Sequence, residues 1–288
     1  MSGRLTIGQC ATLACVWEVT TPKPGNVHRG ADFEDLTFVD FLTGAVAIGP
    51  AMEAAEKTPL GESVLAAVTA TQHWTGTNTN LGTILLIAPL AKVPRNESLP
   101  EGIRHVLKDL TGEDADQVYR AIRTAAPGGL GHVAEMDVAD ELPHDLIAAM
   151  HLAAENDLVA RQYAENYEQL FACVLPWLKD GLDRGQPLEA TIIQVHLQLM
   201  STFPDSLIAR KCGAPVAQQS AMRAERALNA GTPGEAEYLE AVADLDFWLR
   251  SDGHRRNPGT TADMIAAGLF SLLRDGIINS HRRGALDP

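Results

Sequence analysis

The sequence predicts an all-α protein, because apolar residues recur at helical spacing while strand signals are sparse. Stripes of apolar residues three and four apart run through most of the 288 residues. No convincing stretch alternates apolar and polar residues with a period of two, and β-branched and aromatic clusters are few. We therefore expect a single compact domain, residues 1–288, of roughly ten helices.

The helical stripes follow one another in order along the chain. The first begins at Thr37, where residues 37–40 resemble a capping box, and it continues through residue 52. After a shorter stripe at 64–71, residues 81–93 are apolar nearly all round, which predicts a buried central helix. The remaining stripes lie at residues 118–125, 170–178, 192–199, 239–249 and 264–272.

Composition and charge restrict the class of function. A net charge of −14 argues against nucleic acid as a partner, because neutralising phosphates needs a basic surface. No apolar run approaches the about 18 residues of a membrane span, and no secretion signal opens the chain, so we expect no membrane partner. The four cysteines lack CxxC spacing and fit reduced thiols in a cytoplasmic protein. The apolar surplus permits a homodimer.

Residues 18–35 form the first candidate site. Two prolines and a glycine fix the backbone path, cations follow, and carboxylates come within seven residues of His28. This pattern suits a phosphate together with a hard cation such as Mg²⁺, which prefers oxygen ligands. An ordinary loop, whose acids are solvated or cap the helix at Thr37, explains the same spacing. The candidate ligand residues are Lys23, Gly25, Asn26, His28, Arg29, Glu34 and Asp35.

A polar loop at residues 77–82 enters the apolar helix. Asn78 and Thr79, with Gly82 allowing close approach, could hold an anion through backbone N–H groups and the helix dipole. Thr and Asn are also ordinary helix caps, so a purely structural role stays open.

Two later segments place an aspartate near a predicted helix start. Asp205 could ligate a metal while Arg210 or Lys211 meets phosphate, and Asp205 would equally serve as an N-cap. Gly259 belongs to a Pro-Gly-Thr-Thr helix start, and Asp263 falls in the first turn, where the dipole favours a carboxylate in any case.

Common nucleotide, zinc and hydrolase motifs are absent from the sequence. The glycine-rich turn at residues 128–131 could approach a ligand closely, but neither GxGxxG nor GxxxxGK[ST] occurs. No histidines pair at i, i+4 and no GxSxG elbow is present, so we expect neither a zinc enzyme nor a serine hydrolase.

Taken in order, residues 18–30, 78–82, 205–213 and 258–263 resemble the triphosphoribosyl-dephospho-CoA synthase family. The Pro-Lys-Pro-Gly string and the Pro-Gly-x-x-Ala-Asp string are the most specific parts. The chain departs from the family in its second motif, which usually reads Asn-Thr-His-Lys-Gly and here has Asn80 and Leu81 in the middle. This variant is similar to homologues found in archaea and some bacteria.

The resemblance implies an all-helical enzyme that transfers the 5-triphosphoribosyl group of ATP to 3′-dephospho-CoA or a related alcohol and releases adenine. It makes Asp205, Asp263, Glu34 and Asp35 candidate Mg²⁺ ligands or catalytic bases. Lys23, Arg29 and Arg210 become candidate phosphate contacts, and Asn78, Thr79 and the turn at 128–131 become candidate ribose or phosphate contacts. Gly25, Asn26, His28, Gly82 and Gly259 complete the expected binding set.

Other functions remain open at this level. A Mg²⁺-dependent N-ribosyl hydrolase would use the same carboxylates with water as the acceptor. A different ATP-dependent transferase of cofactor biosynthesis would account for the changed second motif. A non-catalytic helical scaffold is the third alternative, in which the polar loops serve only as ordinary helix caps.

Overall fold

Fifteen α-helices make up most of the computed structural model, which describes residues 4–125 and 144–278. The all-α class is confirmed, although short breaks divide the expected stripes into more helices than roughly ten. Within the described ranges the one extended segment is Ser251–His254, after α14. The helices are α1 (Ile7–Thr20), α2 (Phe38–Ala47), α3 (Gly49–Ala54), α4 (Leu60–Thr75), α5 (Leu81–Lys92), α6 (Leu99–Lys108), α7 (Gly112–Ala125), α8 (Leu146–Ala153), α9 (Leu158–Ala164), α10 (Leu175–Asp183), α11 (Leu188–Thr202), α12 (Ser206–Cys212), α13 (Ala214–Asn229), α14 (Ala236–Arg250) and α15 (Gly259–Arg274).

The first predicted helix start is confirmed. Thr37 caps α2, and its side chain and that of Asp40 form a reciprocal capping box. The stripe then divides in two, because α2 ends at Ala47 with Ile48 as its C-cap, and Pro50 lies in the first turn of α3.

Helix α5 is the buried central helix that its apolar sequence predicts, and it packs against α4, α6 and α15. Pro89 lies inside it and has no N–H, so the carbonyl of Leu85 loses its helical partner. Tyr163 replaces that donor, with its hydroxyl 2.7 Å from the Leu85 oxygen. The hydroxyl of Tyr167 donates to the Leu86 oxygen at 3.0 Å. The buried hydroxyl of Tyr163 thus compensates for the N–H that Pro89 lacks.

Two hydrophobic cores share α11. The larger core surrounds α5 and α15 and includes Ile192, Val195 and Leu199 of α11. The smaller core joins α12, α13 and α14, and it takes Leu197 and Met200 from other positions of the same helix. Helix α11 therefore contributes side chains to both cores and connects them.

One helical stretch, Phe38–Lys57, is long and apolar enough to cross a membrane by length and composition, with a mean hydropathy of 1.3. It comprises α2, α3 and a following 3₁₀ turn, and it packs against α1 and α4. Core helices of soluble proteins pass the same test, so one such stretch is weak evidence for a membrane span.

We expect Tyr163→Phe to lower the free energy of unfolding by about 1 kcal/mol, because it leaves a buried carbonyl poorly paired. Tyr238→Phe is the matched control, since the Tyr238 hydroxyl is buried and has no hydrogen-bond partner. Urea denaturation of both variants measures the difference. Equal losses would show that the Leu85 carbonyl does not depend on Tyr163.

Candidate active site

A cleft of about 1500 Å³ opens between the two cores and brings together segments far apart in the sequence. Its walls come from α1, α5, α7, α8, α9, α12 and α15 and from the loops before α2 and α5. Eight of the predicted site residues line it: Asn26, Asp35, Asn78, Thr79, Gly82, Arg210, Gly259 and Asp263.

Asp263 lies on the cleft wall where α15 meets the start of α5. The Thr83 hydroxyl donates to its Oδ1 at 2.6 Å. A Cβ on Gly82 would overlap the carboxylate, so glycine at 82 makes the space that Asp263 occupies. Burial raises the pKa of Asp263 to about 8, and the nearby negative charges of Glu18, Asp205 and Asp157 add to the effect. The cleft thus contains a carboxyl group that titrates near neutral pH.

Asp205 is fully buried and is not among the cleft-lining residues. Its Oδ1 accepts from the backbone N–H groups of Leu207 and Ile208, which caps α12. Its Oδ2 accepts from the N–H and the hydroxyl of Thr261, both at 2.8 Å. Burial raises the pKa of Asp205 despite these hydrogen bonds. This arrangement favours the capping role over a catalytic or metal-binding one.

Three helix starts meet beside Asp205. The hydroxyl of Ser206 donates to the Thr260 hydroxyl at 3.0 Å and accepts from the N–H of Leu158 at 3.3 Å. These contacts tie the first turns of α9, α12 and α15 together, and they set the wall from which Asp263 projects.

Lys23 lies beneath the cleft rather than in it. Its ammonium group is fully buried and forms an ion pair with Glu18, with Nζ 2.8 Å from Oε1. It also donates to the backbone carbonyls of Glu18 and Thr21. Burial, together with the charge of Lys23, lowers the pKa of His196 to about 3, so this histidine is neutral. In this position the ammonium group of Lys23 neutralises Glu18 and does not face a phosphate in the cleft.

Gly25 and Asn26 join the first and last predicted motifs. Gly25 has φ +77°, and its N–H donates to Asp246 at 2.7 Å. The amide nitrogen of Asn26 donates to Oδ1 of Asn257 at 2.6 Å, directly before the Pro-Gly start of α15. The Pro-Lys-Pro-Gly turn therefore packs on the loop that delivers Asp263.

Three further predicted residues lie away from the cleft. His28 is bridged through its backbone to Ala31, and burial and the charge of Arg250 lower its pKa. Arg29 and Glu34 are exposed and do not line the cleft. Contacts from these side chains to a substrate would need a different position of the loop.

Positive charge collects on the α12 side of the cleft. Arg210 pairs with Asp157, with Nη1 3.2 Å from Oδ2. Lys211 also lines the cleft, and burial and the charge of Arg210 lower its pKa. His254 lies 2.8 Å from Asp35 through Nδ1 and Oδ1. This side of the cleft suits phosphate groups.

The polar loop before α5 combines capping and cleft-lining roles. Asn78 accepts from the N–H of Leu81 at 3.1 Å, which is a capping contact. Thr79 packs against Gly44 of α2, where a Cβ would come within 2.5 Å of its hydroxyl oxygen. The capping role is therefore observed, and the anion-binding role of this loop stays a prediction.

Glu18 opens the first candidate site, although no role was expected of its side chain, whereas Asp157 and His254 were not expected in the site; all three line the cleft. Asp157 precedes a helix as an N-cap does, which was a usable signal. His254 had none, because only the fold brings it to Asp35.

The four carboxylates predicted as metal ligands do not converge: Asp35 and Asp263 line the cleft, whereas Glu34 and Asp205 do not. Across residues 4–125 and 144–278, no group of three or more His, Cys, Asp or Glu side chains could hold a metal ion. The predicted turn at 128–131 lies outside the described residues.

Comparisons with known proteins find a matching family model and a similar solved structure. The family model described as ATP:dephospho-CoA triphosphoribosyl transferase matches residues 4–281. A solved structure of a proposed triphosphoribosyl-dephospho-CoA synthase from Archaeoglobus fulgidus superposes with a TM-score of 0.61 at 26% identity. That match covers 82% of this chain and 99% of the other. No curated protein sequence matches.

We expect Asp205→Ala to lower the free energy of unfolding by about 2 kcal/mol or more, because it leaves buried donors on α12 and α15 unpaired. Thermal and urea unfolding measure this loss. A variant as stable as the parent would contradict the capping role.

Asp263→Asn should have the opposite effect on stability. The folded-state pKa of about 8 exceeds the unfolded value, so ionisation opposes folding, and stability should fall as pH rises toward 8. Asn keeps an acceptor for Thr83 and removes this cost, so we expect a gain on the order of 1 kcal/mol at pH 8. Urea titrations at pH 5 and pH 8 test this. A parent and a variant with the same pH dependence would refute it.

Proposed function

The chain belongs to the family of ATP:dephospho-CoA triphosphoribosyl transferases, and we propose that its central cleft carries out the transfer with Asp263 as the proton acceptor. The observation that carries this proposal is a carboxyl group with a pKa near neutrality on the wall of a large cleft. Groups with such a pKa are suited to acid–base catalysis.

The reaction exchanges one bond at the anomeric carbon of the ATP ribose for another. The 2′-hydroxyl of dephospho-CoA forms the new C–O bond, and the bond from that carbon to adenine breaks. The hydroxyl proton passes to a base, and adenine leaves with a proton taken up at its ring. The triphosphate is not cleaved.

Asp263 suits the proton transfer for two reasons. Its position on the cleft wall is held by Thr83 and by the space at Gly82, so the carboxylate is preorganised. In addition, a transition state with oxocarbenium character gains from a nearby negative charge. Repulsion from Glu18 contributes to the raised pKa of Asp263, and a raised pKa makes the ionised carboxylate a stronger base.

We assign the phosphates to the α12 side of the cleft, where Arg210 and Lys211 lie. Nucleotide-borne Mg²⁺ needs only one or two protein carboxylates, because phosphates and water supply the other ligands. Asp35 fits this limited role, since it is exposed, lines the cleft and is held by His254. When bound, the metal would neutralise triphosphate charge and orient the chain of phosphates.

The size of the cleft favours a transferase over an N-ribosyl hydrolase. Pockets for one small ligand usually measure about 300–1000 Å³, whereas this cleft measures about 1500 Å³. The volume suits two nucleotide substrates side by side, and a hydrolase needs room for only one substrate and a water molecule.

We also propose a cytoplasmic location. All four cysteines are unpaired, in line with a reducing compartment, and the substrates of the family are intracellular nucleotides. Nucleic acid is not expected as a partner, and a homodimer stays a prediction.

Incubation with ATP and dephospho-CoA should release adenine, and neither substrate alone should do so. Asp263→Asn should reduce kcat by roughly 10²–10⁴-fold, the usual contribution of a positioned base. The parent enzyme should gain kcat/KM as pH rises to about 8, and the variant should lose that dependence. Asp244→Asn, an exposed change on α14, is the control. Adenine release from ATP alone would identify a hydrolase instead.

Asp35→Asn should raise the Mg²⁺ concentration needed for half-maximal activity and the KM for ATP by roughly tenfold, because a phosphate-side carboxylate is lost. The neighbouring change Glu34→Gln is the matched control and should leave both values unchanged, since Glu34 does not line the cleft. Equal effects of the two changes would remove Asp35 from the site.

A further inference from the structure

One wall of the cleft is largely apolar. Its cleft-lining residues lie on α7 and α8, and none of them is charged. They are Tyr119, Ile122, Ala125, Ala149, Met150, Leu152 and Ala153. The charged lining residues come from other segments: Glu18 and Asp263 from α1 and α15, Arg210 and Lys211 from α12, and Glu155, Asp157 and Arg161 from the stretch after α8 and from α9. The apolar lining is thus concentrated on α7 and α8.

Leu152 is the unusual member of the apolar wall. It is 68% exposed, although it is a large aliphatic side chain in a helix whose other face is buried. An exposed apolar residue on the surface needs no explanation by itself. Here it continues a row of apolar neighbours into a cleft, and such a surface is typical of ligand contacts.

The acceptor of the family reaction has a part that matches this wall. 3′-Dephospho-CoA is an adenosine diphosphate joined to pantetheine, an uncharged arm with a gem-dimethyl group, two amides and a thiol. ATP has no such arm, and its triphosphate is highly charged. A wall without charged side chains therefore suits the arm and not the triphosphate.

We propose that the α7/α8 wall binds the pantetheine arm of the acceptor, which makes Leu152 and Ile122 determinants of acceptor affinity. This inference rests on the proposed function. The arrangement places the triphosphate on the α12 side and the reacting ribose near Asp263, and it leaves the apolar wall for the arm. The wall and Asp263 line the same cleft, so one acceptor molecule can place its ribose near Asp263 and its arm on the wall.

Leu152→Glu tests the proposal without disturbing the core, because the side chain is exposed. We expect the KM and Kd for dephospho-CoA to rise roughly tenfold, since a charge replaces an apolar side chain that the bound arm would cover. The KM for ATP should stay within about twofold. Leu152→Met should retain the parent values. Leu239→Glu is the matched control, because Leu239 is 55% exposed on α14 and does not line the cleft.

A truncated acceptor separates the arm from the nucleotide. ADP with a methyl ester on its β-phosphate keeps the adenosine and the diphosphate but lacks pantetheine. Leu152→Glu should therefore leave the KM and Kd for this acceptor unchanged. Equal weakening of both acceptors, a raised KM for ATP, or no change with dephospho-CoA would each overturn the proposal.

Calorimetric binding keeps the two proposals distinguishable. A parent protein that binds dephospho-CoA but releases no adenine would contradict the proposed function. In that case, selective loss of dephospho-CoA binding in Leu152→Glu would still support the arm site, and unchanged binding would refute it.

Discussion

The buried carboxylate of Asp205 is the interaction on which the cleft depends. Both of its oxygens are engaged, one by the start of α12 and the other by the start of α15. Arg210 follows it on α12, and Asp263 follows Thr261 on α15. The wall that carries Arg210 and the wall that carries Asp263 are therefore both positioned by Asp205, whose side chain is buried and does not line the cleft. An aspartate is needed because the site supplies only donors.

The all-α fold and the buried helix α5 could be predicted from the sequence, whereas the different roles of the carboxylates could not. Helical spacing identifies α5 and α15 well, because their apolar patterns are long. Asp205 and Asp263 look alike in sequence, since each lies near the start of a helix where a carboxylate is favourable. Only the packed structure shows that the four partners of Asp205 are backbone and hydroxyl groups, whereas Asp263 faces the cleft with one hydroxyl donor.

The lysine of the first motif shows a second limit of sequence reasoning. A lysine between two prolines suggests an exposed cation, yet Lys23 is buried and neutralises Glu18 from below. The Lys23–Glu18 pair lowers the net negative charge around Asp263. Its geometry depends on the C-terminal carbonyls of α1, which no local pattern reveals. The compensation of Pro89 by Tyr163 is similar, because donor and acceptor lie 78 residues apart.

Sharing of α11 between the two cores has a consequence for how sequence change would affect the enzyme. Helix α12, with its phosphate-side cations, packs in the smaller core, whereas α5 and α15 belong to the larger one. Because Asp205 binds the start of α12 and the start of α15, a substitution in the smaller core that shifts α12 would also shift Asp263, so changes far from the cleft would alter both of its walls together.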